Sequence, residues 1–150
     1  MKKIIYSPGE PSGIGPDLII KIACSKSWEN FKIPILTIGD PALFLQRSKL
    51  LRKKLKVVDI ESTDGLNKNK KGVLQIIKVS NCKNAHAGKL IKSNAQYVLD
   101  NLHFGIKESM RCKSLSLIHI SEPTRQEAIS YARVGLKKKG GGGGGGGGGG

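Results

Sequence analysis

The chain has 150 residues, 20 of them glycine, with a formal net charge of +15 and three cysteines. No run approaches the ~18 consecutive apolar residues of a membrane span, and Met1-Lys2-Lys3 leads into only a short apolar run, unlike a signal peptide. Cys24, Cys82 and Cys112 lie far apart without a CxxC pair, so their spacing fits neither a disulfide framework nor a zinc site, and a reducing, cytoplasmic setting is expected.

In chain order, Ile4-Ile5-Tyr6 reads as a buried strand that enters a Pro- and Gly-rich loop, Ser7 to Pro16. Pro16 suits a first helical position and Asp17 the helix dipole, and Leu18, Ile19, Ile22 and Ala23 recur at helical spacing. Ile33 to Ile38 repeats the strand, and Ala42 to Leu51 the helix, with Leu43, Phe44, Arg47, Leu50 and Leu51 along one face. Leu55 to Ile60 and Val73 to Val79 are two more strands, separated by the polar stretch Glu61 to Gly72. After an irregular segment, Ser93 or Asn94 is placed to cap a helix reaching about Met110, with Ala95, Val98, Leu99, Leu102 and Ile106 along one side. Alternating strands and helices imply an α/β fold, a mostly parallel sheet covered by helices. About four strands make a partial sheet for that class, and its later strands are expected to be missing.

The last 36 residues read differently. Leu115 to Arg125, LSLIHISEPTR, resembles the translation of a transposase mosaic end joined to a sequencing adapter, and Gly140 to Gly150 is an unbroken glycine run. Polyglycine has nothing to bury and the most backbone entropy to lose. Residues 1–114 are therefore expected to be the native part, and residues 115–150 a disordered, adapter-derived tail. The competing reading is a capping box or a histidine site at His119 followed by a linker.

Residues 1–114 hold 21 of the 26 basic and 9 of the 11 acidic residues, a balance of +12. Eighteen of those 21 are lysine, with Arg47, Arg52 and Arg111 the exceptions. Phosphate and base recognition favours arginine forks and aromatic stacking, and this segment is poor in both, so nucleic acid is not the expected partner. The run Arg52-Lys53-Lys54-x-Lys56 reads as a solvated helix end. A small Lys-rich α/β domain that binds nucleic acid or a protein partner is the alternative reading.

The loop Ser7-Pro8-Gly9-Glu10-Pro11-Ser12-Gly13-Ile14-Gly15-Pro16-Asp17 is a strand-to-helix turn whose glycines permit close approach of a ligand. No Gly-Lys-Ser/Thr follows, so it is not a P-loop, and Leu18 stands where a dinucleotide fingerprint needs its third glycine. PGEPSGIGPD after an amino-terminal strand resembles the opening signature of the 4-hydroxythreonine-4-phosphate dehydrogenase family. Ile38-Gly39-Asp40-Pro41-Ala42-Leu43, Ala87-Gly88-Lys89-Leu90 and Asn94-Ala95-Gln96-Tyr97-Val98-Leu99 resemble later parts of it, in the same order.

That resemblance implies a two-domain α/β enzyme, similar in architecture to isocitrate and isopropylmalate dehydrogenases and working as a homodimer. It would oxidise a phosphorylated hydroxy amino acid with NAD and decarboxylate the product, with a divalent metal held by three histidines. The family's three metal-binding histidines and its substrate-gripping residues fall downstream of the matched region. No catalytic or metal-binding residue is therefore expected in this chain, and the fragment is expected to be inactive. His86 and His103 do not occupy the motif positions, and Cys82 near His86 is at most half a metal site. Gly9, Glu10, Gly13 and Gly15 are the expected cleft-lining, cofactor-binding residues.

Overall fold

The computed structural model describes residues 2–120, and the glycine run and the rest of the expected tail from Ser121 onward lie outside the described residues. The strands are β1 (Lys3–Ser7), β2 (Ile35–Ile38), β3 (Lys56–Asp59), β4 (Val73–Ile77) and β5 (Leu115–His119), and the α-helices are α1 (Gly15–Ala23), α2 (Pro41–Leu50) and α3 (Ala95–Arg111). All pairings are parallel, in the order β3-β4-β2-β1-β5. No helix among the described residues is long and apolar enough to cross a membrane.

For Leu115 to Ile120 the fifth strand corrects the expectation of disorder. Lys3 to Ser7 pairs in register with Leu115 to His119, and the ladder is extended by Lys3 N–H donating to Ser114 O (2.8 Å) and Ile120 N–H donating to Ser7 O (3.0 Å). The reason is the alternation of Leu115, Ser116 and Leu117: one face is apolar, and Leu115 joins Ile5 in the core. An alternating pentamer is all that the open side of β1 requires, so the strand says nothing about the origin of its codons.

Successive strand residues feed two cores. Tyr6, Ile35, Leu74 and Ile76 face α1 and α2, where Ile20, Phe44 and Trp28 complete the packing. Ile5, Leu36, Ile38 and Ile77 face the other way, against Phe104 of α3. Burial of each such side chain contributes about 1.5–3 kcal/mol. Trp28 comes from a 3-10 turn, Lys26–Asn30, that the sequence did not announce, and it is 1% exposed.

The helices keep their expected positions, and α2 largely its expected inward face, but α1 and α3 bury a different row. In α1 the buried residues are Gly15, Pro16, Ile19, Ile20 and Ala23, leaving Leu18 and Ile22 about 40% exposed. In α2, Leu43, Phe44, Arg47 and Ser48 are buried while Leu50 is exposed. In α3 the buried row is Tyr97, Asn101 and Gly105, not Val98, Leu102 and Ile106. These helices carry more apolar residues than one arc can hold, so the sheet selects the row that fits closest. Asn94 sits at the N-cap of α3 without capping it. Its side chain instead accepts from Lys83 N–H (2.9 Å) and donates to Lys83 O (2.7 Å), pinning the irregular segment to the helix start.

Candidate functional site

The connection after β2 runs through α2 on one face of the sheet and the connection after β4 through α3 on the other. Such divergence opens a crevice at the carboxyl ends of the strands, the usual ligand position in open α/β sheets. Two loops meet there: the Gly-rich loop after β1 and the segment that follows β4. Gly88 N–H donates to Ser12 O (2.8 Å), joining them.

Between the loops lies a pocket of about 200 Å³. One wall is Glu10, Ser12, Gly13 and Asp17, with Arg47 reaching in from α2; Ala87, Gly88 and Leu90 form the other. Glu10 shapes the loop, its Oε1 accepting from Ser12 N–H (3.3 Å) and its backbone carbonyl from Gly13 N–H (3.0 Å). Of the residues singled out from sequence, Glu10 and Gly13 line this pocket. Gly9 and Gly15 lie behind it, where they let backbones meet. Gly9 has φ +73° and a Cβ there would strike Ile120 O, whereas a Cβ on Gly15 would strike Pro8 O.

Gly15 provides a test because its backbone is helical. Gly15→Ala would ordinarily strengthen a helix by about 1 kcal/mol. Here the obstacle is backbone, and the substitution is expected to destabilise the chain by about 2–3 kcal/mol in urea unfolding. A midpoint at or above that of the parent chain would show that the loop is not held against the helix.

Arg47 is the feature that sequence reasoning missed. Helical spacing set it on the apolar face with Leu43 and Phe44, and it is 3% exposed. Its Nε donates to Asp17 Oδ1 (2.7 Å) and its Nη2 to Gly13 O (2.8 Å), so one guanidinium ties α2 to both the Gly-rich loop and α1. Nη1 and the nearby Ser12 Oγ are buried without a hydrogen-bond partner. The hint in the sequence was its place among apolar residues on one face of α2.

Asp40 organises the neighbouring strand end. Its Oδ1 caps α2 by accepting from Ala42 N–H (3.1 Å), its Oδ2 accepts from Cys82 N–H (2.9 Å), and its own N–H donates to Tyr97 Oη (2.9 Å). Burial pushes the Tyr97 phenol up to about 12. Burial, then the Asp40 and Glu10 carboxylates, push the Cys82 thiol up to about 11, which keeps it protonated and unreactive at neutral pH.

The described residues do not fit a three-histidine metal centre. His86 lies in an exposed turn with Lys89, and His103 is exposed on α3. His119 Nδ1 lies 3.1 Å from Ser7 Oγ, with burial lowering its pKa. Among the described residues no three His, Cys, Asp or Glu side chains converge. The pocket is also below the ~300–1,000 Å³ of ordinary ligand sites, room for one group rather than a whole dinucleotide.

No protein-family model matches the chain. Among curated proteins it is 32% identical over 108 residues to the 4-hydroxythreonine-4-phosphate dehydrogenase of Pseudoalteromonas translucida, covering 72% of this chain and 32% of that protein. The enzyme of the same name from Vibrio parahaemolyticus is 32% identical over 102 residues, covering 68% and 30%. Among solved structures, 4-hydroxythreonine-4-phosphate dehydrogenases from Salmonella typhimurium and Klebsiella pneumoniae superpose with TM-scores of 0.70 and 0.71 at 18% and 16% identity. They cover 89% and 88% of this chain, which in turn covers 41% and 40% of theirs. At that identity the structures speak for the fold, and the curated proteins speak for descent. The chain is therefore related to the 4-hydroxythreonine-4-phosphate dehydrogenase family over a segment about a third as long as its curated members.

Proposed function

We propose that the chain is the amino-terminal part of an NAD-dependent 4-hydroxythreonine-4-phosphate dehydrogenase, a cytoplasmic homodimer that oxidises and decarboxylates a phosphorylated hydroxy amino acid in pyridoxal phosphate synthesis. The observation that carries this reading is the ordered match of over 100 residues to curated dehydrogenases of one name. In the complete enzyme the Gly9–Gly15 loop, with Glu10 and Gly13 toward the pocket, lines the cleft, and Arg47 holds its shape. When bound, NAD supplies the hydride acceptor and a divalent metal the Lewis acid. The described residues give no three-histidine grip for that metal, and no step is assigned to them.

The chain as it stands is inactive on this reading. Purified protein given NAD, a divalent metal and the phosphorylated hydroxy amino acid should produce no NADH absorbance, whereas a chain continued from residue 114 with the downstream part of the gene should. Turnover by the 150-residue chain would overturn this. We propose further that the codons from Leu115 onward are adapter-derived; amplification across that junction from the source DNA decides it, and recovery of the same codons would refute it.

A further inference from the structure

Four cations stand together in the run Arg52 to Lys56, and the fold brings Lys70 and Lys71 beside them. Arg52, Lys53 and Lys54 follow α2, Lys56 opens β3, and Lys70 and Lys71 precede β4; all are exposed. Parallel pairing of β3 with β4 sets the two segments side by side at the amino-terminal end of the sheet, where Lys56 N–H donates to Gly72 O (2.7 Å) and Lys56 is in register with Val73. Cys24 lies beside this run, with its Sγ 3.6 Å from Lys54 O.

None of the six is held in an ion pair among the described residues. The neighbouring carboxylate is Glu29, whose Oε1 accepts from Lys71 N–H (3.1 Å). Asp64, under the other face at this end, is taken by Lys3. The carboxylates Glu10, Asp17 and Asp40 belong to the opposite, pocket-bearing end. Six exposed cations gathered around one hydrogen-bonded carboxylate, Glu29, make a field that attracts polyanions. Next to them Phe31 is 50% exposed, and its carbonyl accepts from Asn69 Nδ2 (3.0 Å), one residue before Lys70.

We propose that this pole binds single-stranded nucleic acid without sequence preference, the lysines contacting phosphates and Phe31 stacking on a base. Five of the six cations are lysines, point charges that hold phosphates but lack the fork that reads base edges. An exposed ring beside a cationic track is the arrangement that grips unpaired strands. This surface is remote from the pocket and does not depend on the dehydrogenase reading.

The experiment is fluorescence anisotropy of the 150-residue chain with a labelled 20-nucleotide mixed-sequence DNA strand, titrated at several salt concentrations. With about five phosphate contacts the logarithm of affinity should fall with log salt at a slope near −3.5, about a hundredfold between 50 and 200 mM. K53E/K54E/K71E should weaken binding at least about tenfold and flatten the slope by about two units. K83E/K92E/K107E, which removes as much exposed charge elsewhere, should stay within about threefold of the parent. Phe31→Ala should cost about fivefold or more with little change in slope. Equal losses from the two triple variants would mean that net charge alone binds, and would overturn the proposal. So would a Phe31→Ala chain that binds as the parent does, or binding confined to anionic vesicles.

Discussion

Asp17→Asn is expected to destabilise this chain more than Arg47→Met, although the two remove partners of the same ion pair. Arg47 is 3% exposed at its side chain and Asp17 is 26% exposed. A guanidinium cannot shed its proton, so in Asp17→Asn the buried cation keeps neutral acceptors, the asparagine amide oxygen and Gly13 O, but loses its counter-charge. Removing one partner of a buried pair in this way costs about 3–5 kcal/mol. The reverse change leaves Asp17 free to hydrate, and methionine refills much of the volume of the arginine stem. Replacement of buried ionic groups by apolar residues is often mild, and about 1–2 kcal/mol is expected for Arg47→Met, mostly from the unpaired Gly13 carbonyl. Urea unfolding followed by fluorescence of Trp28, the single tryptophan and 1% exposed, measures both variants. If Arg47→Met proves as costly as Asp17→Asn, burial of the guanidinium is not what sets the balance.

Asn69→Ala is expected to cost about 2–4 kcal/mol. Asn69 is 7% exposed. Its Oδ1 accepts from Ile35 N–H (3.1 Å), and its Nδ2 donates to Phe31 O (3.0 Å) and Ile33 O (2.9 Å). One amide therefore supplies three hydrogen bonds to the backbone entering β2. Each buried group left unpaired costs about 1–3 kcal/mol, reduced at Phe31, whose exposed position lets water reach its carbonyl. Native-state hydrogen exchange adds a local readout: the Ile35 amide should lose protection, while Ile5 and Leu36 amides within the sheet keep theirs. Uniform loss of protection at all three sites would show that Asn69 acts on global stability rather than on this entry.

Both residues show where sequence reading stops. β1, β2 and β4 were legible because strands covered on both faces are nearly continuous apolar runs, as Ile4-Ile5-Tyr6 and Ile35 to Ile38 are. The turn at Ser7 to Pro16 was legible because proline and glycine restrict the backbone locally. The helices were legible as helices, but the inward faces of α1 and α3 were not: in α1, Leu18 and Ile22 compete with Ile19, Ile20 and Ala23 for the core, and only the sheet decides between them. β5 was hidden because five alternating residues inside an odd-looking tail are too short a signal to stand alone. Asn69 lay in a stretch that reads as polar loop throughout, and Arg47 on a helix where an exposed arginine would be ordinary.

The candidate site divides the same way. Glu10 and Gly13 could be singled out because the loop's composition is unusual and its order resembles a known signature. The opposing wall, Ala87, Gly88 and Leu90, lies more than 70 residues further along and is joined to the loop by the Gly88 to Ser12 hydrogen bond. The basic pole is likewise a product of β3–β4 register.

By itself, the sequence determined the alternation of strands and helices, the Gly-rich turn and the family resemblance, because hydrophobic period and turn chemistry act between residues close in the chain. Only the tertiary structure decided which helix faces are buried, that Arg47 and Asn69 are interior, and that Arg52 to Lys56 meets Lys70 and Lys71. A polar group can be buried, or a charge concentrated, only when distant segments supply partners or neighbours, and no local pattern records which segments those are.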